Sequence, residues 1–422
     1  MYPVAYSANA DRLEQRERPS AEARRTMWRL FSLAATIRIS LWLLVSALSG
    51  DVNSISRDSM WYDIEGQNIA LQYQTGDVNW SLWIDDGWFQ FIGLCYYLLV
   101  PSLTLIVFIN SLLAGGATVL TYRIAASVFG SPAVAKASAL TFALFPGAVF
   151  FHSLPLKECA ACFSAMLIVW GILQVQRQPG FSPWLKIVVG ILIIAALRVY
   201  LVPVFIFLTV LCVFPIPTKS FLAATIVLAG LGYALLLVAV YLITQAGIRT
   251  EGNEMLQYFD IERINQTRMS MSRGKSKIFA DEEDAQYTGD VIHDVKLLGL
   301  GIFHFICTVD PTRVRSGRQF LVLPEAALIL LCLPSLVYGT YKAWKIHGRA
   351  ALPVILFFLS FLLLYGSATT NLGALYRWRL QAVGLAAMLI FFGAWLRRKG
   401  FAYAMLKLLA RRELRQEQSY GM

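Results

Sequence analysis

The sequence predicts an all-α polytopic membrane protein, and three observations carry that reading. Hydrophobic residues make up 57% of the 422 and charged residues only 15%, where a soluble domain carries roughly a quarter charged. Runs of about 20 apolar residues recur from Trp28 to Leu396, each long enough to cross a hydrocarbon core of about 30 Å. The alternating pattern of a membrane β-barrel is absent, so helices are left to satisfy the backbone within lipid.

Residues 1–27 are polar and Arg-rich. They predict a cytoplasmic tail with little to bury, and not a cleavable leader. The first span is expected over Trp28–Leu48. Arg29 can snorkel at its end, whereas Arg38 lies mid-span, as a functional group or as partner to a carboxylate or carbonyl of a neighbouring helix. Residues 50–87 form a first external loop, in which seven acids (Asp51, Asp58, Asp63, Glu65, Asp77, Asp85 and Asp86) face a single base, Arg57. Inside it, Met60, Trp61, Ile64, Ile69 and Leu71 recur at helical spacing. Trp61 and Tyr62 suit an interfacial helix at headgroup level. Asp58 reads either as its N-cap or as a catalytic carboxylate at a helix start; Asp63 and Glu65 read as solvent-facing.

Trp88–Leu99 is apolar but too short to span. Further spans are expected over Pro101–Tyr122, Ala133–Phe151, Cys159–Leu173, Trp184–Leu197, Tyr200–Phe214 and Phe221–Thr244. A turn, His152–Glu158, precedes the fourth, and Arg198 separates the fifth and sixth. Residues 245–319 form a second external loop with a partial helix, Val295–Val309. Phe320–Tyr341, Ala350–Ser367 and Leu380–Leu396 complete about ten transmembrane helices, and 397–422 form a basic cytoplasmic tail. The segments read as inside hold about 20 Lys and Arg, and the short outside loops about five. Both termini are therefore expected in the cytoplasm of a bacterial inner membrane, with the acidic loop facing the periplasm or exterior. This placement assigns the net charge of +11 to lipid and not to nucleic acid.

The six cysteines lie almost all in apolar runs, and Cys159 and Cys162 lack the second ligand pair of a zinc site. They read as small hydrophobes. Asp85-Asp86-Gly87 is a turn or a metal site. Mg²⁺ or Mn²⁺ held by Asp58 and Asp86 would need only one or two carboxylates beside phosphate oxygens.

The run DSMWYDIEGQNIA, Asp58 to Ala70, resembles the D-E-x-x-Y-x-x-x-A pattern of GT-C glycosyltransferases, such as protein O-mannosyltransferases and lipid A aminoarabinose transferases. Asp58 and Tyr62 match, Gly66 stands for the Ala, and Ser59 replaces the acidic second position. Phe108–Gly130 is similar to the family's second full helix and its inner loop. Phe145–Glu158, ending in Leu-Lys-Glu, is similar to an external turn of many bacterial members. Asn371–Gln381, with Arg377 and Arg379, resembles a late Arg-x-Arg signature that meets lipid-linked phosphate. The resemblance implies a GT-C type bundle, with Asp58 as base or acceptor-orienting residue.

Extracytoplasmic sugar transfer needs a membrane-borne donor, a polyprenyl-phosphate-linked sugar. It needs a carboxylate to take the acceptor proton and cations to hold the departing phosphate. The candidates are Asp58 with Tyr62 and Asp85 or Asp86, and Lys157, Arg198, Arg377, Arg379 and Arg263 for phosphate. Each has a plainer role: Lys157–Glu158 as a helix-end pair, Arg198 snorkelling, Arg377 and Arg379 as interfacial anchors. Arg377 and Arg379 diverge on a helix but share one groove if the chain is extended. His152 reads as a structural hydrogen-bonder or a catalyst. In the polar segment, Arg263 and Arg268 either reach phosphate or belong to a solvated loop, and Asn265-Gln266-Thr267 is formally a glycosylation acceptor. The acceptor is extracytoplasmic: a glycan, a lipid or a protein. The rival readings are a polyprenyl-diphosphate oligosaccharide polymerase or ligase, and a non-enzymatic lipid-linked sugar flippase.

Overall fold

The computed structural model describes residues 20–49, 57–77, 86–214, 261–272, 286–288, 290–307, 317–368 and 370–420. They form helices with short connections, and no strand occurs among them. In chain order these are α1 (Ala21–Ser49), α2 (Arg57–Thr75), α3 (Gly87–Leu98), α4 (Leu103–Phe129), α5 (Pro132–Leu144), α6 (Pro146–His152), α7 (Glu158–Arg177), α8 (Phe181–Leu197) and α9 (Val202–Val213). From the polar segment onward come α10 (Ile261–Ser272), α11 (Val291–Cys307), α12 (Gly317–His347), α13 (Leu352–Ala368), α14 (Leu372–Trp378) and α15 (Leu380–Tyr420).

Among the described residues, five helices are long and apolar enough to cross a membrane: α1, α4, α7, α12 and α15. The count becomes six if α5 and α6, bent by 52°, form one span. The expected span Phe221–Thr244 lies outside the described residues. Helix α8, α13 and the pair formed by Val199–Leu201 with α9 are apolar but shorter. The two ends of the chain's described part differ from the sequence reading. The expected N-terminal tail is already helical from Ala21, and the expected basic C-terminal tail continues α15 to Tyr420.

The break between α5 and α6 divides the span expected over Ala133–Phe151. Pro146 has no N–H to donate to the preceding turn, and Phe145 swings to φ −59°, ψ 120°. The freed carbonyl end of α5 gains a cation: Arg38 Nη1 of α1 donates to Ala143 O at 3.0 Å and to Ala34 O at 2.9 Å. Arg38 is fully buried, so of its two expected roles the structure supports the carbonyl partner. His152 closes α6, buried, with Nε2 3.6 Å from Cys162 Sγ. All six cysteines are free thiols.

Helix α4 packs on α1, α5 and α7, and α7 in turn on α8. At one end of this core, α2 lies against α3. Gly66 makes that contact possible: a Cβ there would stand 2.5 Å from Ile92 Cγ2 of α3. The close approach explains why position 66 takes glycine. The face of α2 turned away from α3 keeps Met60, Trp61, Ile64 and Leu71 exposed.

Candidate active site

The acidic loop's helix brings its first turn to the last third of the chain. Helix α2 begins at Arg57, so Asp58 sits inside the first turn and not at the cap, where a carboxylate is favoured by the helix dipole. Its Oδ2 accepts a hydrogen bond from Arg377 Nη1 of α14, a partner 319 residues away in sequence. Both groups keep contact with solvent: the Asp58 side chain is 46% exposed and that of Arg377 25%. Helix α14 is short and fixed at its start by Asn371, whose Oδ1 accepts from Gly373 N at 2.8 Å and Ala374 N at 3.2 Å, an N-cap that sets the direction of Arg377.

Tyr62, one turn beyond Asp58, packs its ring against Phe89 of α3 at 4.9 Å. Burial, together with the negative charges of Glu158 and Asp58, raises its phenol above the usual tyrosine range, so it holds its proton as a donor. Burial works against the charge of Arg377, yet Glu158, Asp58 and Tyr62 around it raise its pKa above the ordinary guanidinium value. These residues therefore share one electrostatic field.

Behind them stands a second, closed pair. Glu158 opens α7 and accepts from Arg198 Nη2 at 3.4 Å, with both side chains almost wholly buried. Arg198 also donates from Nη1 to Tyr200 Oη at 2.8 Å and lies 5.2 Å from the Trp378 ring and 5.8 Å from that of Tyr365. Arg198 thus points inward, contrary to the snorkelling alternative, and Glu158 takes Arg198, not Lys157, as its ion-pair partner. The turn that delivers Glu158 is itself held. Asn110 Nδ2 of α4 donates to Leu154 O and Leu156 O, both at 2.9 Å, and Trp88 Nε1 donates to Pro155 O at 3.1 Å. Carbonyls in apolar surroundings need such donors.

The Arg-x-Arg pair divides. Trp378 closes α14 and Arg379 remains in helical conformation, so of the two arrangements open to the pair the guanidinium groups take the diverging, helical one. Arg379 is buried against Glu325 of α12 and donates Nη1 to Ile306 O at 3.0 Å. Glu325 also accepts from Tyr376 Oη at 2.6 Å and from Gly147 N at 3.2 Å. Arg379 is enclosed in this way, whereas Arg377 keeps contact with solvent.

Arg268 is likewise enclosed. It is buried in α10, donates to Ser367 O, and lies 4.7 Å from the Tyr287 ring. Thr370 Oγ1 donates to Arg268 O at 2.6 Å, and Asn371 Nδ2 to Met271 O at 3.4 Å. Asn265 exchanges two 2.8 Å hydrogen bonds with the Tyr287 backbone, so its amide is engaged in the fold. The polar segment therefore docks α10 directly onto the start of α14, the helix that carries Arg377.

Of the remaining sequence-predicted residues, Asp85 lies outside the described residues, as does the Arg263 side chain. Asp86 is exposed just before α3, and Lys157 occupies the cap position before Glu158. Asp63, expected to face solvent, accepts from Tyr96 Oη of α3 at 2.7 Å. Among the described residues no group of three or more His, Cys, Asp or Glu side chains is placed to hold a metal ion. Sequence reasoning paired Glu158 with Lys157 instead of Arg198 and gave Glu325 no ion-pair partner. An acid inside an apolar run was the available signal for Glu325, and the Leu-Lys-Glu turn for Glu158. No family model, curated protein or solved structure matches this chain.

Proposed function

We propose that the chain is a GT-C type glycosyltransferase that moves one sugar from a polyprenyl-phosphate carrier to an extracytoplasmic glycan, lipid or protein acceptor. One observation carries this reading: a half-exposed carboxylate, Asp58, is paired with a quarter-exposed guanidinium, Arg377, at the edge of an apolar helical bundle. General base and phosphate-binding cation are the two groups the reaction requires. A guanidinium has five N–H donors, so Arg377 can turn toward the donor phosphate and release Asp58 to the acceptor. The acceptor oxygen then attacks the anomeric carbon from the face opposite the phosphate, and its proton passes to Asp58. The bond between the anomeric carbon and the phosphate oxygen breaks, and its electron pair leaves on the lipid phosphate beside Arg377. Tyr62 orients Asp58, while Glu158 and Arg198 maintain the field behind the pair.

The bundle accommodates this reading. The six possible long spans, the three shorter apolar helices and the apolar stretch 221–244 make about ten crossings. Both termini are then cytoplasmic and Asp58 faces the periplasm or exterior. A flippase reading asks for charges lining a path through the membrane. The charges deep in the helices, Arg38 and the Glu325–Arg379 pair, are instead spent on helix ends and on each other. A polymerase or ligase would extend its product by more than one sugar.

The test is transfer of radiolabelled sugar from a polyprenyl-phosphate donor in membrane vesicles, comparing wild type with Asp58→Asn. Loss of transfer with the protein still folded is expected. Undiminished transfer by the variant removes Asp58 from the mechanism.

A further inference from the structure

The crossing of α12 and α15 leaves a groove of about 530 Å³, lined by Leu333, Pro334, Val337, Tyr338, Tyr341 and Arg397. Close backbone contact shapes it. A Cβ on Gly339 would run into Leu389 O, and one on Gly393 into Ser335 O. The two helices therefore touch along small residues, and their larger side chains splay to either side.

Cations rim this apolar floor. Arg397 Nη2 donates to Pro334 O at 2.9 Å, which sets its guanidinium 5.1 Å from the Tyr338 ring. Lys342 Nζ lies 5.6 Å from the Tyr338 ring and 5.8 Å from that of Tyr341, and Lys345 Nζ lies 6.0 Å from Tyr341. Arg398 and Lys399 follow on α15. The stretches 333–349 and 395–400 contain no Asp or Glu. Among the described residues none of these five bases has a carboxylate partner; the ion pairs there join other residues. Leu333 to Tyr341 covers about 12 Å of helix, the depth of a headgroup and the first part of an acyl chain. Tyrosine belongs at that boundary.

We propose that this groove binds an anionic phospholipid. Its phosphate sits against Arg397 and Lys342, and its acyl chain lies along Leu333, Pro334 and Val337. Charge complementarity selects this occupant, because an apolar channel ringed by cations without acids matches a molecule with one anionic end and one hydrocarbon end. The proposal stands apart from the sugar-transfer reading and does not depend on it.

Native mass spectrometry of the full chain, released from detergent with phosphatidylglycerol or with phosphatidylcholine of the same chains, tests it. Phosphatidylglycerol should be retained about tenfold better. The preference should vanish in Lys342→Gln/Arg397→Gln and persist in Arg24→Gln/Lys136→Gln, which removes two exposed bases elsewhere. Should the first double variant fail to fold, Val337→Glu, at a position 64% exposed, places an acid in the groove and should likewise abolish the preference. Equal retention of both lipids, a preference that survives the groove variants, or displacement of the lipid by millimolar inorganic phosphate would each overturn the proposal.

Discussion

Arg377 and Arg379 stand two residues apart and have opposite environments. Arg377 meets Asp58 where both side chains still touch solvent, 25% and 46% exposed. Arg379 meets Glu325 where both are sealed, 5% and 3% exposed, with a carbonyl accepting from Arg379 and a tyrosine and a backbone amide donating to Glu325. An open pair can exchange a partner for an incoming anion at small cost, because water and neighbouring donors compensate. A sealed pair cannot, since each partner removed leaves an uncompensated buried charge. The first pair suits chemistry and the second holds α6, α12 and α14 together.

Five substitutions test that contrast. Asp58→Asn should lower sugar transfer by about 10²–10⁴-fold, the usual contribution of a general base, measured as labelled product per minute in vesicles. Glu325→Ala should destabilise the fold by about 3–5 kcal/mol, read as a lowered detergent melting temperature, with Glu325→Gln less damaging because it keeps acceptors for Tyr376 and Gly147. If Glu325→Ala melted like wild type, the sealed pair would not be structural. Arg377→Gln should weaken donor use by about 1.5–3 kcal/mol, the range of a charge-assisted hydrogen bond, with little change in melting. Gly66→Ala should cost about 1–3 kcal/mol by overpacking against Ile92. It should also depress transfer by pushing Asp58 off its register, and an intact rate would uncouple the α2–α3 contact from the open pair. The smallest effect expected is on the stability of Asp58→Asn itself, about 0–1 kcal/mol by calorimetry, as for solvent-accessible pairs.

Much of the architecture was legible in the chain. Apolar run length fixes most helices, and the pattern Met60, Trp61, Ile64, Ile69 and Leu71 marks a helix, of which the structure leaves four residues exposed and buries Ile69. The break at Pro146 was not read, although proline and the lone Arg38 are its two halves. A carbonyl freed in one helix and a cation stranded in another become meaningful only once they meet. Likewise, the sequence marked the Asp58 loop and the Arg377–Arg379 pair but could not divide the pair. Whether Trp378 and Arg379 continue the helix or extend the chain decides which guanidinium turns toward Asp58, and local propensity does not settle a seven-residue helix. Arg268 and Asn265 show the same limit: polar residues in a charged segment look solvated until the fold buries them against Ser367 and Tyr287.

The sequence by itself determined that this is an all-helical chain with membrane-spanning character, because hydrophobic run length and the absence of alternation depend only on neighbours along the chain. It also singled out the acidic first loop, since seven acids against one base stand out in a basic, apolar protein. Only the tertiary structure decided which charges are open and which are sealed. Burial and pairing belong to residues as far as 319 positions apart, and the cost of a charge depends on what surrounds it rather than on what precedes it.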